Sequence, residues 1–325
     1  MRGSHRSELP RGALRPKVGS SSGRRIRDVS AELSGYQIER QIGIGARSRI
    51  FAAVALKTGR RVALKRVARN SRDDDRFIRQ AENEYAVGHR IDHPHVRGVI
   101  ALHRVRRRLR LAELVLALEL VDGLPLEKAL PNRLDRFLAI FIKTAAGLEA
   151  IHRAGFVHAD IKPHNILRGR GGVVKIIDLG QASPSGRRKE RIQGTPEFIA
   201  PEQVHRKILN ERTDVFNVGA SMYWVLTCET YPTEIAGRNG RGVTLAAARP
   251  LAPIEINAKI PRSLSDLVME CCRSSPGERP ADMAELRTRL TSIRALWNKR
   301  REAYRLEHLS RLQRGATDEV TRNCE

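Results

Sequence analysis

The chain has 325 residues, of which 41% are hydrophobic and 30% charged, and its formal net charge is +24. This composition is typical of a globular protein and excludes a fibrous or wholly disordered chain. The positive charge would attract acidic proteins, nucleic acid or anionic membranes without selecting among them.

No run of about 18 uncharged apolar residues occurs, so no membrane span is predicted. The most apolar stretch, residues 111–121, is interrupted by Glu113 and Glu119. The start of the chain lacks an apolar signal core, which favours a cytoplasmic protein. The cysteines lack the spacing of zinc ligands and are predicted to be reduced core thiols. They are Cys228, Cys271, Cys272 and Cys324.

The first predicted elements are a basic tail and a group of strands. Residues 1–33 are rich in Gly, Ser, Pro and Arg without periodicity, which predicts a flexible basic tail. From residue 36 the pattern changes to short β-like runs separated by glycine turn signals. Three runs, at residues 36–42, 50–56 and 61–67, predict an antiparallel meander.

A helix is predicted next, over residues 76–91. Phe77, Ala81, Glu84 and Gly88 recur at spacings of four, three and four, so they share one face of this helix. The apolar face therefore carries a carboxylate.

Two more strands follow the helix, at residues 99–105 and 111–120, and helices then dominate the chain. The helices are predicted at residues 134–153, 214–227, 264–273 and 283–297. Strands followed by helices predict an α+β fold with two segregated lobes. Because residues 214–227 are apolar on nearly all sides, we expect this helix to cross the middle of the helical lobe.

The last segment, residues 296–325, is a predicted basic helix or tail. Three leucines lie at helical spacing in it, at Leu306, Leu309 and Leu312. We expect them to pack on the lobe rather than to contact a membrane.

A glycine-rich turn lies between the first two predicted strands. Gly43 and Gly45 lack side chains, so backbone amides there could approach an anion closely. Ser48 occupies the third position of this G-x-G-x-x-G pattern. A glycine turn between strands is also common without any ligand, so this pattern has two interpretations.

A lysine and a glutamate form the next part of a phosphate-binding set. Lys65 lies in the apolar run RVALKRV, and a lysine in such a place needs a partner. Glu84, on the inward face of the predicted helix, is the expected partner. Such a pair would present positive charge to phosphate oxygens.

The stretch FVHADIKPHNIL, residues 156–167, places three polar groups close together. Asp160 could accept a hydroxyl proton, Lys162 could offset the charge of a phosphoryl group, and Asn165 offers an oxygen ligand for Mg²⁺. Asp178, which ends an apolar run before a glycine, could supply a second metal ligand.

In this order the motifs resemble the eukaryotic-like (Hanks-type) protein kinases, in their bacterial serine/threonine branch, over residues 36–290. The resemblance implies a bilobal α+β fold with a small antiparallel β lobe, one main helix in that lobe and a larger helical lobe. It places a kinase domain at residues 34–295, with the small lobe at 34–121 and the large lobe at 122–295. It also implies transfer of the ATP γ-phosphoryl group to protein Ser or Thr hydroxyls.

The resemblance carries the family's site residues onto this sequence. Asp160, Lys162, Lys65 and Glu84 correspond to catalytic residues, and Asn165 and Asp178 to ligands of Mg²⁺ or Mn²⁺. The nucleotide contacts implied are Ile42, Gly43, Gly45, Ser48, Ile50, Ala63, Lys65, Leu118, Glu119, Val121, Asp122, Asn165, Leu167 and Asp178. Of these, residues 118–122 form the implied adenine-binding segment, in which the backbone of Glu119 and Val121 contacts adenine and Asp122 reaches the ribose. The resemblance assigns residues 158–165 to the catalytic loop and residues 178–202 to the activation segment. It also implies two bracing contacts: Asp214 beneath the catalytic loop and Arg279 on Glu202.

One departure from the family pattern concerns regulation. Ala159 stands where many members have an arginine that pairs with a phosphate on the activation segment. We therefore expect a kinase of the non-RD type, with little dependence on phosphorylation of that segment. Ser183 or Ser185 is a possible site of autophosphorylation that activity does not require, and Thr195 is expected to hydrogen-bond the catalytic loop.

Two other function classes compete with the active kinase. One is a nucleotide-binding pseudokinase or scaffold, against which the complete set of chemical residues argues. The other is nucleic-acid binding through the tail and the arginine cluster at residues 104–110, where no aromatic residues are interleaved for base stacking. For an active kinase, the positive charge favours an acidic protein substrate.

Overall fold

The computed structural model describes residues 35–45, 47–236, 242–244 and 250–322. The predicted basic tail, residues 1–33, lies outside this part of the chain, and so does Cys324. Side chains are described up to residue 307 in the last helix.

The small lobe is built on an antiparallel sheet with the strand order β1-β2-β3-β5-β4. Its strands are β1 (Tyr36–Ile44), β2 (Ser48–Ala55), β3 (Arg61–Ala68), β4 (Val99–Arg107) and β5 (Arg110–Glu119). Each predicted strand is confirmed to within two residues at its ends. The buried runs Val62–Leu64 of β3 and Leu114–Leu118 of β5 place the sheet in the lobe's core.

Helix α1 (Asp75–Gly88) packs on this sheet, as its apolar face predicts. Ile78, Ala81, Glu84, Val87 and Gly88 are buried. A Cβ on Gly88 would lie 2.3 Å from Cγ2 of Val99, so only a glycine allows α1 to approach β4 this closely. This approach turns Glu84 toward the sheet.

Short strands connect the two lobes and surround the cleft between them. They are β6 (Gly123–Pro125), β7 (Phe156–Val157), β8 (Ile166–Gly169), β9 (Val174–Ile176), β10 (Ser183–Pro184), β11 (Arg187–Arg188) and β12 (Ile208–Leu209). The order β6-β8-β9 forms one sheet, while β10 pairs with β7 and β11 pairs with β12. The last two pairings attach residues 183–188 to the large lobe.

The large lobe is mostly helical, as predicted. Its helices are α2 (Leu134–Arg153), α3 (Pro201–Val204), α4 (Glu211–Thr227), α5 (Pro253–Ile256), α6 (Arg262–Cys271) and α7 (Met283–Arg322), with a β13 (Glu234–Ala236) and β14 (Gly242–Thr244) hairpin. Fourteen residues of α4 are buried, which confirms its predicted central place. The core of the lobe joins α2, α4, α6 and α7 in a single apolar cluster.

Three predictions about the large lobe need correction. Helix α7 was expected to end at residue 297 but continues to Arg322, so the helix has no break between residues 295 and 296. Leu306 is 59% exposed and does not pack on the lobe as expected; Leu309 and Leu312 lie beyond the described side chains. Cys228 is exposed rather than in the core, whereas Cys271 and Cys272 are buried thiols.

Among the described residues, none of the helices combines the length and the apolar character needed to cross a membrane.

Candidate active site

The glycine-rich turn forms the tip of the β1–β2 hairpin. The N–H of Gly45 donates to the carbonyl oxygen of Ser48 over 2.8 Å. A Cβ on Gly45 would lie 2.6 Å from Oγ of Ser48, and one on Gly43 would lie 3.4 Å from Cδ1 of Ile50. The two glycines therefore keep side-chain atoms out of the turn, while Ile42, 39% exposed, lies just before it.

Lys65 lies between two carboxylates that come from different parts of the chain. Its Nζ is 2.6 Å from Oε2 of Glu84 and 3.1 Å from Oδ1 of Asp178. Burial alone would lower the pKa of Lys65, but the carboxylates of Asp178 and Glu84 outweigh burial and raise that pKa. Lys65 is thus held as a cation, and the prediction that Glu84 is its partner is confirmed.

Asp178 is the most exposed member of this cluster. Its side chain is 41% exposed, against 2% for Glu84. The ammonium of Lys65 lowers the pKa of Asp178 below its usual range, although burial acts in the opposite direction. An ionised, partly exposed carboxylate beside a lysine is able to bind a divalent cation.

Arg97 also contacts Glu84, and the sequence reasoning missed it. Its Nη2 donates to Oε1 of Glu84 over 2.9 Å, and both side chains are buried. The signal in the sequence was a single arginine inside the apolar run Val96–Ile100, in the connection between α1 and β4.

The predicted adenine-binding segment lies at the end of β5. Leu118 is fully buried and pairs with Ala63 of β3. The carboxylate of Glu119 accepts hydrogen bonds from the N–H of Gly98, over 2.9 Å, and from Nζ of Lys175, over 2.8 Å. The backbone N–H of Glu119 also donates to the carbonyl oxygen of Gly98, over 2.8 Å, so the nucleotide contact expected at Glu119 stays a prediction.

The other predicted nucleotide contacts in this region differ in exposure. Val121 and Leu167 are half-buried. Val121 lies two residues before strand β6, and Leu167 lies in its partner strand β8, opposite Pro125. The side chain of Asp122 is 89% exposed and lies 4.0 Å from the guanidinium of Arg170. Of the three, Asp122 makes the weakest contact with the rest of the protein.

The catalytic loop is held from below by Asp214 of α4, as predicted. Its carboxylate accepts hydrogen bonds of 2.8 Å from the backbone N–H groups of His158 and Ala159 and from Nε2 of His152. Burial alone would raise the pKa of Asp214, but these bonds hold it below its ordinary value. Ala159 has a φ of 59°, so the loop is fixed in a left-handed turn just before Asp160.

Asp160, Lys162 and Thr195 form a connected group. The hydroxyl of Thr195 donates to Oδ1 of Asp160 over 2.9 Å, and Nζ of Lys162 donates to Oγ1 of Thr195 over 2.5 Å. Nζ of Lys162 also lies 3.4 Å from Oδ2 of Asp160. The expected hydrogen bond from Thr195 to the catalytic loop is therefore confirmed.

Asn165 connects this loop to Asp178. Its Nδ2 donates to the backbone oxygen of Asp160 over 2.8 Å, and its own backbone oxygen accepts from the N–H of Ile177 over 2.9 Å. The part of the chain that the structure describes has no group of three or more His, Cys, Asp or Glu residues suited to a metal. Near the catalytic loop, the side chains of Asn165 and Asp178 could offer oxygen ligands to a divalent ion.

The activation segment after Asp178 is attached to both lobes. Nδ2 of Asn83 in α1 lies 3.3, 3.2 and 2.8 Å from the carbonyl oxygens of residues 179, 180 and 182. The hydroxyl of Ser185 donates to Glu211 over 2.9 Å. Nε2 of Gln203 donates to the carbonyl oxygens of Ala159, over 2.8 Å, and of Gln193, over 3.1 Å. Side chains of both lobes thus hold the segment in place.

Lys189 of the same segment points inward. Its Nζ donates to the carbonyl oxygen of Gln181. Burial lowers the pKa of Lys189 to about 8, although the carboxylates of Asp160 and Asp214 act to raise it. No local pattern in the sequence distinguishes this lysine from its arginine neighbours.

A cavity of about 390 Å³ opens beside the catalytic loop. Its lining includes Lys162 and Thr195, the rings of Phe198 and Trp224, and the carboxylate of Glu127. A larger cavity, of about 580 Å³, lies among Tyr231, Arg262 and Cys272 and contains none of the predicted site residues. The smaller cavity therefore adjoins the catalytic loop through Lys162, whose Nζ lies 3.4 Å from Oδ2 of Asp160.

The arginine cluster at residues 104–110 forms the turn between β4 and β5. Arg107 pairs with Arg110 at the tip, whereas Val99 pairs with Leu118 at the opposite end of the two strands. The turn and the adenine-binding segment therefore lie at opposite ends of the sheet. Leu109, 93% exposed, is at the tip.

Comparison with known proteins gives one family, described as "Protein kinase domain", which matches residues 36–290. Three similar relatives are bacterial. Serine/threonine-protein kinase pkn3 of Myxococcus xanthus is 26% identical over 276 residues, covering 79% of this chain and 50% of that protein. PknA of Corynebacterium glutamicum is 28% identical over 280 residues, covering 82% and 58%. PknD of Chlamydia felis is 28% identical over 293 residues, covering 78% and 30%. The chain thus spans between 30% and 58% of the length of these curated relatives.

Proposed function

Because this chain belongs to the protein kinase domain family, we propose that it is a serine/threonine protein kinase that uses ATP and a divalent cation. The observation that carries the proposal is the place of Lys65, whose ammonium is 2.6 Å from Glu84 and 3.1 Å from Asp178 at the cleft. A cation held in this way offsets the charge of a nucleotide's phosphates. The bacterial relatives are named as serine/threonine-protein kinases, which supports serine and threonine as acceptors.

The proposed reaction is a displacement at the γ-phosphorus of ATP. The carboxylate of Asp160 orients the acceptor hydroxyl and takes its proton. The acceptor oxygen bonds to the γ-phosphorus while the bond from that phosphorus to the β–γ bridging oxygen breaks, and ADP leaves with the electron pair. Lys162 and Lys65 offset the negative charge on the transferring group and on the remaining phosphates.

Mg²⁺ held by Asp178 and Asn165 would neutralise charge on the phosphate oxygens, and Mn²⁺ suits the same oxygen donors. Gly43, Gly45 and Ser48 would approach the phosphates through their backbone N–H groups. Each of these residues belongs to the cleft between the lobes.

The acceptor segment is proposed to enter the cavity of about 390 Å³ beside Lys162 and Thr195. The positive net charge favours an acidic protein, and this preference, like the cytoplasmic location, remains a prediction. The lining of the cavity is mixed, because Glu127 and Glu197 accompany Lys162.

The test is transfer of radiolabelled phosphate from ATP to the protein itself and to generic acceptors, for the wild type, Asp160→Asn and Asp92→Asn. Asp92 is an exposed aspartate and serves as the matched control. We expect Asp160→Asn to lose activity by about 10²- to 10⁴-fold, as for removal of a general base, and Asp92→Asn to match the wild type.

Equal transfer by the wild type and Asp160→Asn would contradict the proposal. ATP binding without any transfer, with several acceptors and with both Mg²⁺ and Mn²⁺, would instead indicate a pseudokinase or scaffold.

The non-RD character is a second part of the proposal, supported by Ala159 and by the hydrogen bonds that the protein's own side chains make to the activation segment. The hydroxyl of Ser185 donates a hydrogen bond to the carboxylate of Glu211, and Oγ of Ser183 is buried. We expect a Ser183→Ala and Ser185→Ala double variant to keep its activity within about threefold, since only one neutral–charged hydrogen bond of moderate strength is lost. Mass spectrometry after incubation with Mg-ATP would show whether either serine is modified, and complete loss of activity would refute independence from phosphorylation.

A further inference from the structure

Arg97 is a buried cation at the back of the proposed nucleotide cleft. The residue is 7% exposed and lies in the connection between α1 and β4, within an apolar stretch. A charged side chain is costly to bury unless it is paired with an opposite charge. Its partner is Glu84, which is also the partner of Lys65.

The carboxylate of Glu84 is shared between two cations, one on each oxygen. Oε2 is 2.6 Å from Nζ of Lys65, and Oε1 accepts from Nη2 of Arg97 over 2.9 Å. The side chains of Glu84 and Arg97 are only 2% and 8% exposed. Two bonds to separate oxygens fix the orientation of a carboxylate more firmly than either bond alone.

The backbone of Arg97 is tied to the strand that leads to Asp178. Its N–H donates to the carbonyl oxygen of Ile176 over 2.9 Å, and the N–H of Ile176 donates to the carbonyl oxygen of His95 over 2.8 Å. Val96 forms a parallel bridge with Ile176. Arg97 therefore links α1, which carries Glu84, to β9, which ends two residues before Asp178.

The charges of this cluster balance only when Arg97 is counted. Lys65 and Arg97 contribute two positive charges, and Glu84 and Asp178 contribute two negative charges. Without Arg97 the cluster would carry a net negative charge, which would oppose the binding of a triphosphate. The positive charge of Arg97 acts to lower the pKa of both Lys65 and Asp178, although other groups have larger effects on these two pKa values.

We propose that Arg97 is a positioning residue for nucleotide binding: it holds the carboxylate of Glu84 toward Lys65 and takes up part of its charge, so that the Lys65 ammonium remains available to phosphate oxygens. The inference rests on the proposed function, in which this cleft binds Mg-ATP. It adds a residue outside the set that the sequence assigned to the site.

A second ion pair on the same helix provides the matched control. Nη2 of Arg104 lies 3.0 Å from Oε1 of Glu82, but these side chains are 50% and 40% exposed. Glu82 is two residues from Glu84 and belongs to the same helix. Breaking this exposed pair changes a nearby charge without touching the cleft.

The experiment compares the full chain as wild type, Arg97→Met, Arg97→Lys and Arg104→Met. Calorimetry measures the Kd for Mg-ATP, phosphate transfer gives kcat and KM for ATP, and thermal unfolding gives Tm. We expect Arg97→Met to raise Kd and KM for ATP by about 10- to 100-fold, the effect of losing one hydrogen bond to a charged group. Arg97→Lys, which keeps a cation near Glu84, recovers part of this loss, and Arg104→Met matches the wild type.

A double-mutant cycle shows whether Arg97 acts through Glu84. In a Glu84→Gln background, replacement of Arg97 by Met should change Kd by less than about twofold, because the carboxylate on which it acts is absent. All binding is measured well below the Tm of each variant. If Arg97→Met fails to fold, the comparison of Arg97→Lys with Arg104→Met supplies the test: we expect a raised Kd for Arg97→Lys, and a Kd equal to those of the wild type and Arg104→Met would overturn the inference.

Other results would also overturn it. They are a lowered Tm for Arg97→Met with wild-type Kd and KM, an equal change of Kd in the presence and absence of the Glu84 carboxylate, or a wild type that binds no ATP. A wild type that binds ATP with the expected dependence on Arg97, yet transfers no phosphate, would refute the proposed function and leave the role of Arg97 in binding supported.

Discussion

Each lobe contains a buried ion pair, and the two pairs differ in what surrounds them. In the small lobe, Nζ of Lys65 is 2.6 Å from Glu84. In the large lobe, Nη1 and Nη2 of Arg279 lie 2.7 and 2.9 Å from the two oxygens of Glu202, as the sequence predicted. Both glutamates are at most 4% exposed. The burial of the two glutamates and the lengths of their ion pairs therefore do not distinguish the two pairs.

The two pairs differ in the other hydrogen bonds that the cation donates and in the exposure of the cation. The guanidinium of Arg279 also donates to three backbone carbonyl oxygens and lies 4.9 Å from the ring of Phe216, and its side chain is 0% exposed. Lys65 is 15% exposed, and its second carboxylate, Asp178, is 41% exposed. A fully satisfied pair contributes to stability, whereas a pair that is open on one side can act on a ligand.

The largest expected effect is on folding, for Arg279→Met. Removing this guanidinium leaves the carboxylate of Glu202 buried without its partner, so we expect the free energy of unfolding to fall by about 3 to 5 kcal/mol. Denaturant unfolding measures this change. Activity per folded molecule should remain close to that of the wild type.

A pair on the surface of the same lobe is the control for Arg279. Arg289 lies 2.6 Å from Glu270, and their side chains are 36% and 35% exposed. Arg289→Met should cost about 1 kcal/mol or less, as for exposed ion pairs. Equal losses for the two variants would show that burial does not separate these pairs.

The next effect is on the reaction rate, for Lys65→Met. We expect phosphate transfer to slow by about 10²- to 10³-fold, as when one electrostatic stabiliser is removed from an active site. Stability should change little, because Arg97 still pairs with Glu84. Kinetics and denaturant unfolding on the same samples separate the two effects.

Arg66, the next residue of β3, is the control for Lys65. Successive side chains of a strand point to opposite faces, and Arg66 pairs with Glu113 rather than with the cleft residues. We expect Arg66→Met to keep the wild-type rate. A loss of stability for Lys65→Met as large as that for Arg279→Met, with activity reduced only in proportion to the folded fraction, would remove the distinction between the two pairs.

The smallest effect concerns a third inward-pointing cation, Lys189, whose hydrogen-bond partner is the carbonyl oxygen of Gln181. Its pKa is lowered to about 8 because burial outweighs the nearby carboxylates, whereas that of Lys65 is raised. Between about pH 8 and pH 10.5 the unfolded chain holds a proton on Lys189 that the folded chain has lost, so stability rises with pH in this window. The wild type should gain about 1 to 2 kcal/mol relative to Lys189→Met, since solvent reaches part of the side chain.

Denaturant unfolding of both proteins at pH 7, 8, 9 and 10 measures this difference, and the other titrating groups cancel in it. A constant difference across the range would show that Lys189 titrates as an ordinary surface lysine. It would then resemble neither of the two buried pairs.

Much of the fold and of the site followed from local sequence patterns. Period-two runs and glycine turns predicted the strands of the small lobe, and helical periodicity predicted α1, α2, α4 and α6 within three residues at each end. Periodicity also placed Glu84 on the buried face of α1, which was enough to name it as the partner of Lys65. The sequence predicted a helix that ends at residue 297 and a separate basic helix or tail from residue 296, whereas α7 runs through both to Arg322, since no proline follows Trp297 to end the helix.

The sequence by itself determined which chemical groups this protein has and in what order, since turns, periodicity and motif spacing are properties of neighbouring residues. The tertiary structure decided which groups meet. Lys65 and Asp178 are 113 residues apart, and Arg97 reaches Glu84 only because α1 packs against β4 at Gly88. Burial then gave similar lysines and arginines different roles, because the effect of a charge depends on the partners and solvent that the fold places around it.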